Sequence, residues 1–363
     1  MRVAILGQGI AGTLVHAGLA ARGVRAVVFD LGHARAASRA AAGIVNPVTG
    51  RRFVLTWRAD QLLRGLETYA PLERLLGRRL VHPLTVLRDL SAVPDRNQWD
   101  LRCAQPDYAG YLGAPRAAGS VGGFSASGYA LPGWLGPTLR ARRVDLPGLI
   151  AAYRTHLGRE RLLRETELPA EPWRREDGGW FVAAEPFDAV VDCRGYGARA
   201  ASAWAPLPWR GSKGEALRFA DAGFPRDFAV KRRHFVCPVG DASDLWLGGT
   251  ATDRFDDDAS TPSAREQLWM SWRAHRGLDS DAAADPVLPE GEHLSAIRPT
   301  TRDRRPLVGE HPRHQGLWLC NGLGTKGGSL APLAAAQLIA ALLDGEPVDE
   351  EVALVGRFRE NVH

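Results

Sequence analysis

The motif Gly7-Gln8-Gly9-Ile10-Ala11-Gly12 carries the strongest structural signal in this chain, because it is a complete GxGxxG in a suitable context. A short apolar run at residues 2–6 precedes it and is typical of a buried parallel strand. Residues 13–22 follow with apolar side chains at helical spacing, and Gly23 ends that helix. A second apolar run at 26–29 ends at Asp30. The order strand, glycine loop, helix, strand and acid predicts a dinucleotide-binding βαβ unit.

Each residue of this fingerprint has a separate physical task. Gly7 allows the tight turn from strand to helix, and Gly9 leaves room for a pyrophosphate near the backbone. Gly12 lets the helix pack closely on the strand. Asp30 is expected to accept hydrogen bonds from ribose hydroxyls, and its charge would repel a 2′-phosphate. The fingerprint alone does not distinguish FAD from NAD.

A second glycine-rich loop near the C-terminus favours FAD. Residues 317–321 are apolar and predict a strand, and Gly322, Gly324, Gly327 and Gly328 follow before an Ala-Pro pair at 331–332. Loop amides and a helix N-terminus there would face the electron-rich N1 edge of a reduced flavin. A nicotinamide enzyme has no need for this second loop.

Length and composition limit the remaining possibilities. The 363 residues suit about two domains, and 45% hydrophobic and 24% charged residues are typical of a globular protein. The cysteines stand singly at 103, 193, 237 and 320, so we expect free thiols in a cytoplasmic protein and no metal site. The longest apolar stretch, 330–343, is too short for a membrane span.

The basic character of the chain is a weak indicator of partners. The formal charge is +5, yet all but three of the 46 basic residues are arginine, which favours a compositional bias. Basic pairs such as Arg51-Arg52 are scattered and predict solvated surface. Binding to nucleic acid is therefore possible on charge but is not the favoured prediction.

Four further stretches resemble one family. They are Ser38-Arg39-Ala-Ala-Ala42-Gly43-Ile44-Val45, residues 187–197 ending in Gly195-Tyr-Gly197, residues 296–309 and residues 317–332. Together with the fingerprint they resemble the D-amino-acid-oxidase superfamily of FAD-dependent oxidoreductases. Within it, the chain is most similar to bacterial glycine oxidase and to the flavin domain of the bifunctional enzyme of 5-methylaminomethyl-2-thiouridine biosynthesis in tRNA.

The resemblance implies an α/β fold with two domains. A Rossmann-type FAD-binding domain would comprise residues 1–80, 135–205 and 292–363. A second, mainly antiparallel-sheet substrate domain would comprise 81–134 and 206–291, with strands at 81–87 and 246–250. The fingerprint and the resemblance together give the expected FAD-binding residues: Gly7, Gly9, Ile10, Ala11, Gly12, Asp30, Ser38, Arg39, Ala42, Gly43, Ile44, Gly195, Arg298, Gly322, Gly324, Thr325, Lys326, Gly327 and Gly328.

The resemblance also implies a chemistry. A hydrogen on the carbon next to nitrogen moves to flavin N5 as a hydride, and water hydrolyses the imine, with oxygen as the expected acceptor giving hydrogen peroxide. Arg298 matches an arginine that binds the substrate carboxylate, and its planar fork suits that group. Thr325 replaces a second arginine of the resembling enzymes, and the adjacent Lys326 is expected to compensate for it as a second residue of the catalytic site. Phe235 replaces a substrate-binding tyrosine of glycine oxidase. The cysteine to which sarcosine oxidases attach their flavin is missing after Arg298, so FAD is expected to be non-covalent.

Three functions remain open on the sequence alone. The favoured one is oxidation of a small amine or amino acid of the glycine, D-amino-acid or N-substituted glycine type. The alternative is removal of the carboxymethyl group from carboxymethylaminomethyluridine in tRNA, supported by the positive charge and an unusual polar loop at 43–53. A non-catalytic flavin-binding protein is the third. The sequence predicts no oligomeric state.

Overall fold

The computed structural model describes residues 1–124, 128–131, 133–176, 178–240, 243–277 and 290–358. Within these ranges the chain forms both helices and strands. The α-helices are α1 (Ile10–Ala21), α2 (Ala37–Ala40), α3 (Ala59–Arg64), α4 (Tyr69–Leu76), α5 (Val93–Cys103), α6 (Leu146–Arg159), α7 (Pro262–His275) and α8 (Gly327–Asp344).

Most strands are short, and the two longest pair with each other along almost their whole lengths. The strands are β1 (Arg2–Leu6), β2 (Arg25–Phe29), β3 (Ile44–Val45), β4 (Val48–Thr49), β5 (Val54–Leu55), β6 (Val81–Pro83), β7 (Thr85–Asp89), β8 (Arg116–Ala117), β9 (Trp134–Thr138), β10 (Arg142–Val144), β11 (Leu163–Arg164), β12 (Trp173–Glu176), β13 (Gly179–Val182), β14 (Glu185–Phe187), β15 (Ala189–Asp192), β16 (Trp209–Ala220), β17 (Phe228–Lys231), β18 (Phe235–Pro238), β19 (Asp244–Gly248), β20 (Gly291–Thr301), β21 (Leu307–His311) and β22 (His314–Asn321).

The first sheet has six strands in the order β11-β2-β1-β15-β22-β21 and is parallel except at β21. The strand β1 is buried on both faces, because Val3 and Ile5 enter one core and Ala4 and Leu6 enter the other. This explains its continuous apolar sequence. Helices α1 and α8 pack together on the first of these cores. The predicted Rossmann-type βαβ unit is confirmed.

The second large sheet has eight strands in the order β20-β16-β19-β18-β17-β7-β9-β8. Its pairs are antiparallel except β17 with β7. Leu268 and Trp272 of α7 cover one face, and residues of the 40–44 segment pack against the other. The predicted α/β fold with a mainly antiparallel second sheet is confirmed. Strands β9 and β20 belong to this sheet. The sequence prediction instead places most of their residues, within 135–205 and 292–363, in the FAD domain. The exact domain bounds stay a prediction.

Helix α8 contains Pro332 at its sixth position, deeper than the first-turn position that the sequence suggests. A proline there has no N–H for the carbonyl of Gly328, four residues earlier. The hydroxyl of the buried Tyr69 donates to that carbonyl instead, at 2.8 Å. The helix therefore tolerates the proline, because the freed acceptor has a partner.

The same helix satisfies the simplest criteria for a membrane span. It has 18 residues with a mean hydropathy of 1.3, and half of that stretch is buried inside the protein. Leu330, Ala334 and Leu338 pack in the core next to α1. The apolar sequence thus has partners within the protein, as the core helix of a folded domain does.

Candidate active site

A cavity of about 700 Å³ lies where the carboxyl ends of the parallel strands face the second sheet. Loops after β1, β2, β15 and β22 line one side, and residues of β16, β18 and β20 line the other. Ligands of parallel α/β sheets bind at the carboxyl ends of the strands. The volume is within the range of about 300–1,000 Å³ that is usual for small-molecule sites.

The glycine loop between β1 and α1 leaves space that a ligand can occupy. Gly7 adopts φ +92°, which favours glycine. A β-carbon on Gly9 would meet only the Ser38 hydroxyl oxygen, at 3.5 Å, so no protein atom requires a glycine there. A β-carbon on Gly12 would instead overlap the carbonyl oxygen of Gly7. Gly12 serves helix packing, whereas the space at Gly9 fits the pyrophosphate of FAD.

The start of α1 is tied to the alanine-rich segment. The hydroxyl of Ser38 accepts a hydrogen bond from the amide of Ile10 at 3.0 Å. Gly43 adopts φ +73°, and a β-carbon there would overlap the carbonyl oxygen of Val144. This close approach explains the glycine that interrupts the alanine-rich segment and turns it along the cavity.

Asp30 ends β2 and lines the cavity. One carboxylate oxygen accepts from the amide of Gln8 at 2.8 Å, and the other accepts from the amide of Gly32 at 2.8 Å. Arg154 also donates to this second oxygen, at 2.7 Å. The carboxylate is thereby held in place at the mouth of the fingerprint, where the sequence predicts the ribose.

We expect Asp30→Asn to weaken FAD binding by about 1–3 kcal/mol, because one charge-assisted hydrogen bond to the ribose is lost. The measurement is FAD titration of the apoprotein. Arg154→Met is the matched control, since Arg154 pairs with Asp30 and does not line the cavity. Equal losses in the two variants would mean that Asp30 is important only through its ion pair.

The C-terminal loop meets the loop that follows β15. The Asn321 side chain donates to the carbonyl of Gly195 at 2.9 Å and accepts from the amide of Gly322 at 2.8 Å. Gly322 and Gly324 have φ +73° and +54°. After them α8 begins at Gly327, so its N-terminal amides are directed at the cavity. This arrangement suits the electron-rich edge of a flavin ring.

Lys326 is the N-cap residue of this helix, directly before Gly327, and it lines the cavity. Its ammonium lies 3.4 Å from the hydroxyl of Thr56. Burial lowers the pKa of Lys326, and the nearby Arg304 and Arg305 lower it further. An amine in such a setting is stabilised by an electron-rich partner, which a flavin ring would provide.

Arg298 is carried into the cavity by β20. Its guanidinium donates to the carbonyl of Thr250 at 3.2 Å through both terminal nitrogens. It fills the space above Gly214, where a β-carbon would overlap it, and lies 2.9 Å from the β-carbon position of Gly249. Burial lowers the pKa of Arg298. Among the described residues no carboxylate forms an ion pair with it, so its charge is available for a ligand.

The structure brings most of the predicted residues to this cavity. The lining residues among them are Gly7, Gly9, Ile10, Ala11, Asp30, Ser38, Ala42, Gly43, Ile44, Gly195, Gly324, Thr325, Lys326, Gly327, Gly328 and Arg298. Gly12 and Gly322 do not line it and support the loops from behind. The side chain of Arg39 faces the neighbouring cavity and pairs with Glu292.

Sequence reasoning missed two lining residues that change the chemistry of the cavity. Trp246 lies at the wall and donates from its indole nitrogen to the carbonyl of Ala40 at 2.9 Å. Lys231 lines the same cavity as Arg298. The rarity of lysine, with only three in the chain, was the one signal for Lys231. Within the described ranges no cluster of side chains could hold a metal ion.

Comparison of the chain with known protein families and known proteins agrees with this geometry. The family of FAD dependent oxidoreductases matches residues 2–342, and the chain belongs to that family. It is therefore an FAD-dependent enzyme, and the cavity described above fits that cofactor.

Two kinds of enzyme are among the relatives of this chain. A tRNA 5-methylaminomethyl-2-thiouridine biosynthesis bifunctional protein of Azoarcus sp. is 28% identical over 98% of this chain, which spans 58% of that protein. A glycine oxidase of Pseudomonas aeruginosa is 27% identical over 96% of both chains. The crystal structure of glycine oxidase from Geobacillus kaustophilus superposes with a TM-score of 0.76 at 21% identity, covering 95% of each chain.

We expect FAD to be released intact into the supernatant when the yellow protein is precipitated with acid. Of the four cysteines only Cys193 lines the cavity, and burial and the neighbouring Cys320 thiol raise its pKa well above the ordinary range. A thiol that stays protonated is a poor nucleophile for covalent attachment. Yellow colour kept in the acid pellet would contradict this prediction and leave the family assignment intact.

Proposed function

We propose that the protein oxidises the C–N bond of a carboxylate-bearing amine, either an amino acid or an N-substituted glycine, with oxygen as the acceptor. The observation that carries the proposal is the guanidinium of Arg298 in the cavity between the two glycine loops, where no carboxylate among the described residues forms an ion pair with it. A planar fork binds a carboxylate in a fixed orientation, so it positions the neighbouring C–H bond as well as the charge.

The protein's own residues would bind and orient the substrate. When bound, FAD supplies the hydride acceptor, and the imine product is hydrolysed by water. Arg298 holds the carboxylate, and the hydrogen bonds to the carbonyl of Thr250 keep the guanidinium in place. Phe235 and Trp246 line the cavity with apolar surface and limit the access of water.

Glu215 also lines the cavity but is already engaged. Its carboxylate accepts from the amide and the hydroxyl of Thr261 at 2.7 and 2.8 Å, and His293 lies 3.0 Å away. This carboxylate therefore fixes the start of α7. The proposed oxidation does not require it as a base, because hydride transfer from a neutral amine needs no side chain to remove the C–H proton.

A screen of substrates tests the proposal. Purified holoenzyme is mixed without oxygen with amines, amino acids of both configurations, N-substituted glycines and modified nucleosides. We expect loss of the visible flavin absorbance only with compounds that carry a carboxylate next to the amine carbon. Readmission of air should restore the colour and release hydrogen peroxide. Reduction by simple alkylamines alone would contradict the proposed role of the carboxylate.

A second candidate is oxidation of a carboxymethylaminomethyl group on tRNA. The 28% identity to the tRNA biosynthesis protein over almost the whole chain supports it. Arg304 and Arg305 lie close enough to Lys326 to lower its pKa, so positive charge extends from the cavity towards the surface. The carboxymethylaminomethyl group is itself an N-substituted glycine and would fit the same arginine.

Salt dependence distinguishes the two candidates. The apparent affinity for a tRNA substrate, measured through flavin reduction, would fall steeply as the salt concentration is raised. The reason is that arginine–phosphate contacts release counterions. The apparent affinity for a free amino acid would change little with salt concentration. The tRNA candidate predicts that Arg304→Ala impairs reduction by tRNA and leaves reduction by a free N-substituted glycine unchanged.

A further inference from the structure

Gly214 is a glycine for a reason that lies outside its own backbone. It lies in the middle of β16, and its φ is not in the left-handed region, so the strand conformation there suits any residue. A β-carbon at this position would overlap the guanidinium of Arg298, and the three atoms nearest to that position all belong to this one group. The space that a side chain at 214 would need is therefore taken by Arg298.

The strand pairing explains how the arginine reaches this place. Arg298 of β20 stands opposite Ser212 of β16, and Gly214 is two residues further along β16. Residues two apart in a strand lie on the same face of the sheet, so the side chain of Arg298 runs diagonally across that face. The carbon Cζ and both terminal nitrogens are about equally close to the β-carbon position of Gly214. The guanidinium therefore lies flat on the sheet.

The carbonyl of Thr250 occupies one of the hydrogen-bonding edges of this guanidinium. Both terminal nitrogens of Arg298 donate to this oxygen at 3.2 Å, so it lies at the end of the fork. Thr250 is itself fixed, because the Glu215 amide donates to its hydroxyl at 2.8 Å and its own amide donates to the Glu215 carbonyl at 3.0 Å. No described residue accepts a hydrogen bond from Nε of Arg298. The side edge of the fork, formed by Nε and Nη2, is thus open.

The open side edge borders the substrate cavity. Nη2 is the protein atom nearest to the β-carbon position of Gly249, at 2.9 Å. Gly249, Gly214 and Arg298 all line the cavity. Two N–H groups on one edge of an arginine match the two oxygens of a carboxylate. The arrangement therefore offers one defined edge, with the other already occupied by the sheet.

We propose that Gly214 determines the specificity of the enzyme for acids, because it lets the Arg298 guanidinium lie on the sheet with its Nε–Nη2 edge towards the substrate carboxylate. This inference rests on the proposed function, in which Arg298 binds that carboxylate. A side chain at 214 would lift the guanidinium off β16 and break its bonds to Thr250. The long arginine side chain has several rotatable bonds, so it moves while the sheet keeps its place.

The test compares an acid with its neutral amide, neither of which carries an amine. The dissociation constants of methoxyacetate and methoxyacetamide for the holoenzyme are measured by calorimetry. We expect the wild type to prefer the acid by at least about 10-fold, and Gly214→Ala to lose most of this preference by weakening the binding of the acid alone. Gly179→Ala in β13 is the matched control, because a β-carbon there would meet no atom closer than 3.8 Å. FAD content and melting temperature check that each variant is folded.

A double-mutant cycle assigns the effect to Arg298. In Arg298→Ala the group that Gly214 accommodates is gone, so adding Gly214→Ala should change the acid affinity by less than about 2-fold. An equal loss of acid affinity with and without Arg298 would overturn the proposal, as would an unchanged acid preference in the single Gly214→Ala variant. Loss of FAD or of melting temperature on adding Gly214→Ala in both backgrounds would also overturn it, because the fold itself would then require the glycine.

A crystal structure of the holoenzyme with methoxyacetate checks the edge. We expect the carboxylate oxygens within about 3 Å of Nε and Nη2 of Arg298, with the carbonyl of Thr250 in its present place. A carboxylate bound across the two terminal nitrogens, where the carbonyl of Thr250 now lies, would contradict the proposal.

The outcomes separate this inference from the proposed function. If the acid preference depends on Arg298 but not on Gly214, the inference fails and the role of Arg298 stands. If the wild type binds acid and amide equally, the carboxylate-binding role of Arg298 fails and the inference fails with it. If the preference depends on both residues but N-methylglycine does not reduce the flavin, the positioning of Arg298 by Gly214 stands and the proposed oxidation fails.

Discussion

Arg298→Ala is expected to lower kcat/KM for a carboxylate-bearing amine by roughly 10- to 100-fold and to leave FAD content unchanged. The loss corresponds to about 1.5–3 kcal/mol for a hydrogen-bonded ion pair. Phe235 offers no hydroxyl to the carboxylate, so Arg298 is expected to carry most of the binding of this group. Stopped-flow measurement of flavin reduction, at several substrate concentrations, gives both the limiting rate and the apparent affinity.

Two variants make this result specific. Arg298→Lys should restore activity only in part, because a point charge does not reproduce the planar fork. Arg210→Ala, on the neighbouring strand β16 and outside the cavity, should behave as the wild type. Equal rates and affinities for the wild type and Arg298→Ala would show that Arg298 only supports the loop at Thr250.

Gly9→Val is expected to give a folded protein that holds little FAD. No protein atom lies closer than 3.5 Å to the β-carbon position of Gly9, so the added side chain enters the space predicted for the pyrophosphate. Extra carbon atoms in a filled site cost about 1–3 kcal/mol, and binding should weaken by roughly 10- to 100-fold. FAD titration and the melting temperature of the apoprotein are the measurements.

Gly12→Ala provides the matched control. A β-carbon on Gly12 would overlap the carbonyl oxygen of Gly7, so this variant should lose stability of the apoprotein as well as FAD. Gly9→Val should lose FAD alone. Normal FAD affinity in Gly9→Val would mean that the first glycine loop does not contact the cofactor.

Local sequence predicted the parts of the molecule that depend on neighbouring residues. The glycine fingerprint and Asp30 lie within one βαβ unit, so their spacing determines their arrangement. Strands β1 and β2 follow from apolar runs that are buried on both faces. The presence of the second glycine loop was predictable for the same reason, although Gly322 turned out to support the loop from behind the cavity.

Features that depend on the pairing of distant strands were not predictable. Lys231 and Arg88 become neighbours only through the parallel pairing of β17 with β7, which no local pattern indicates. The place of Arg39 in the alanine-rich segment predicts that it binds FAD, yet its guanidinium forms an ion pair with Glu292 of β20. The place of Pro332 inside α8 depends on Tyr69, more than 250 residues earlier in the chain.

The central claim is that the FAD-bound protein oxidises an amine that it holds by a carboxylate. The most direct measurement is the rate at which N-methylglycine, without oxygen, removes the visible flavin absorbance, compared with the rate for its neutral amide. The account predicts rapid loss of colour with the acid, a much slower loss with the amide, and no difference between them in Arg298→Ala. Equal reduction by acid and amide in the wild type, or no reduction by any carboxylate-bearing amine, would contradict it.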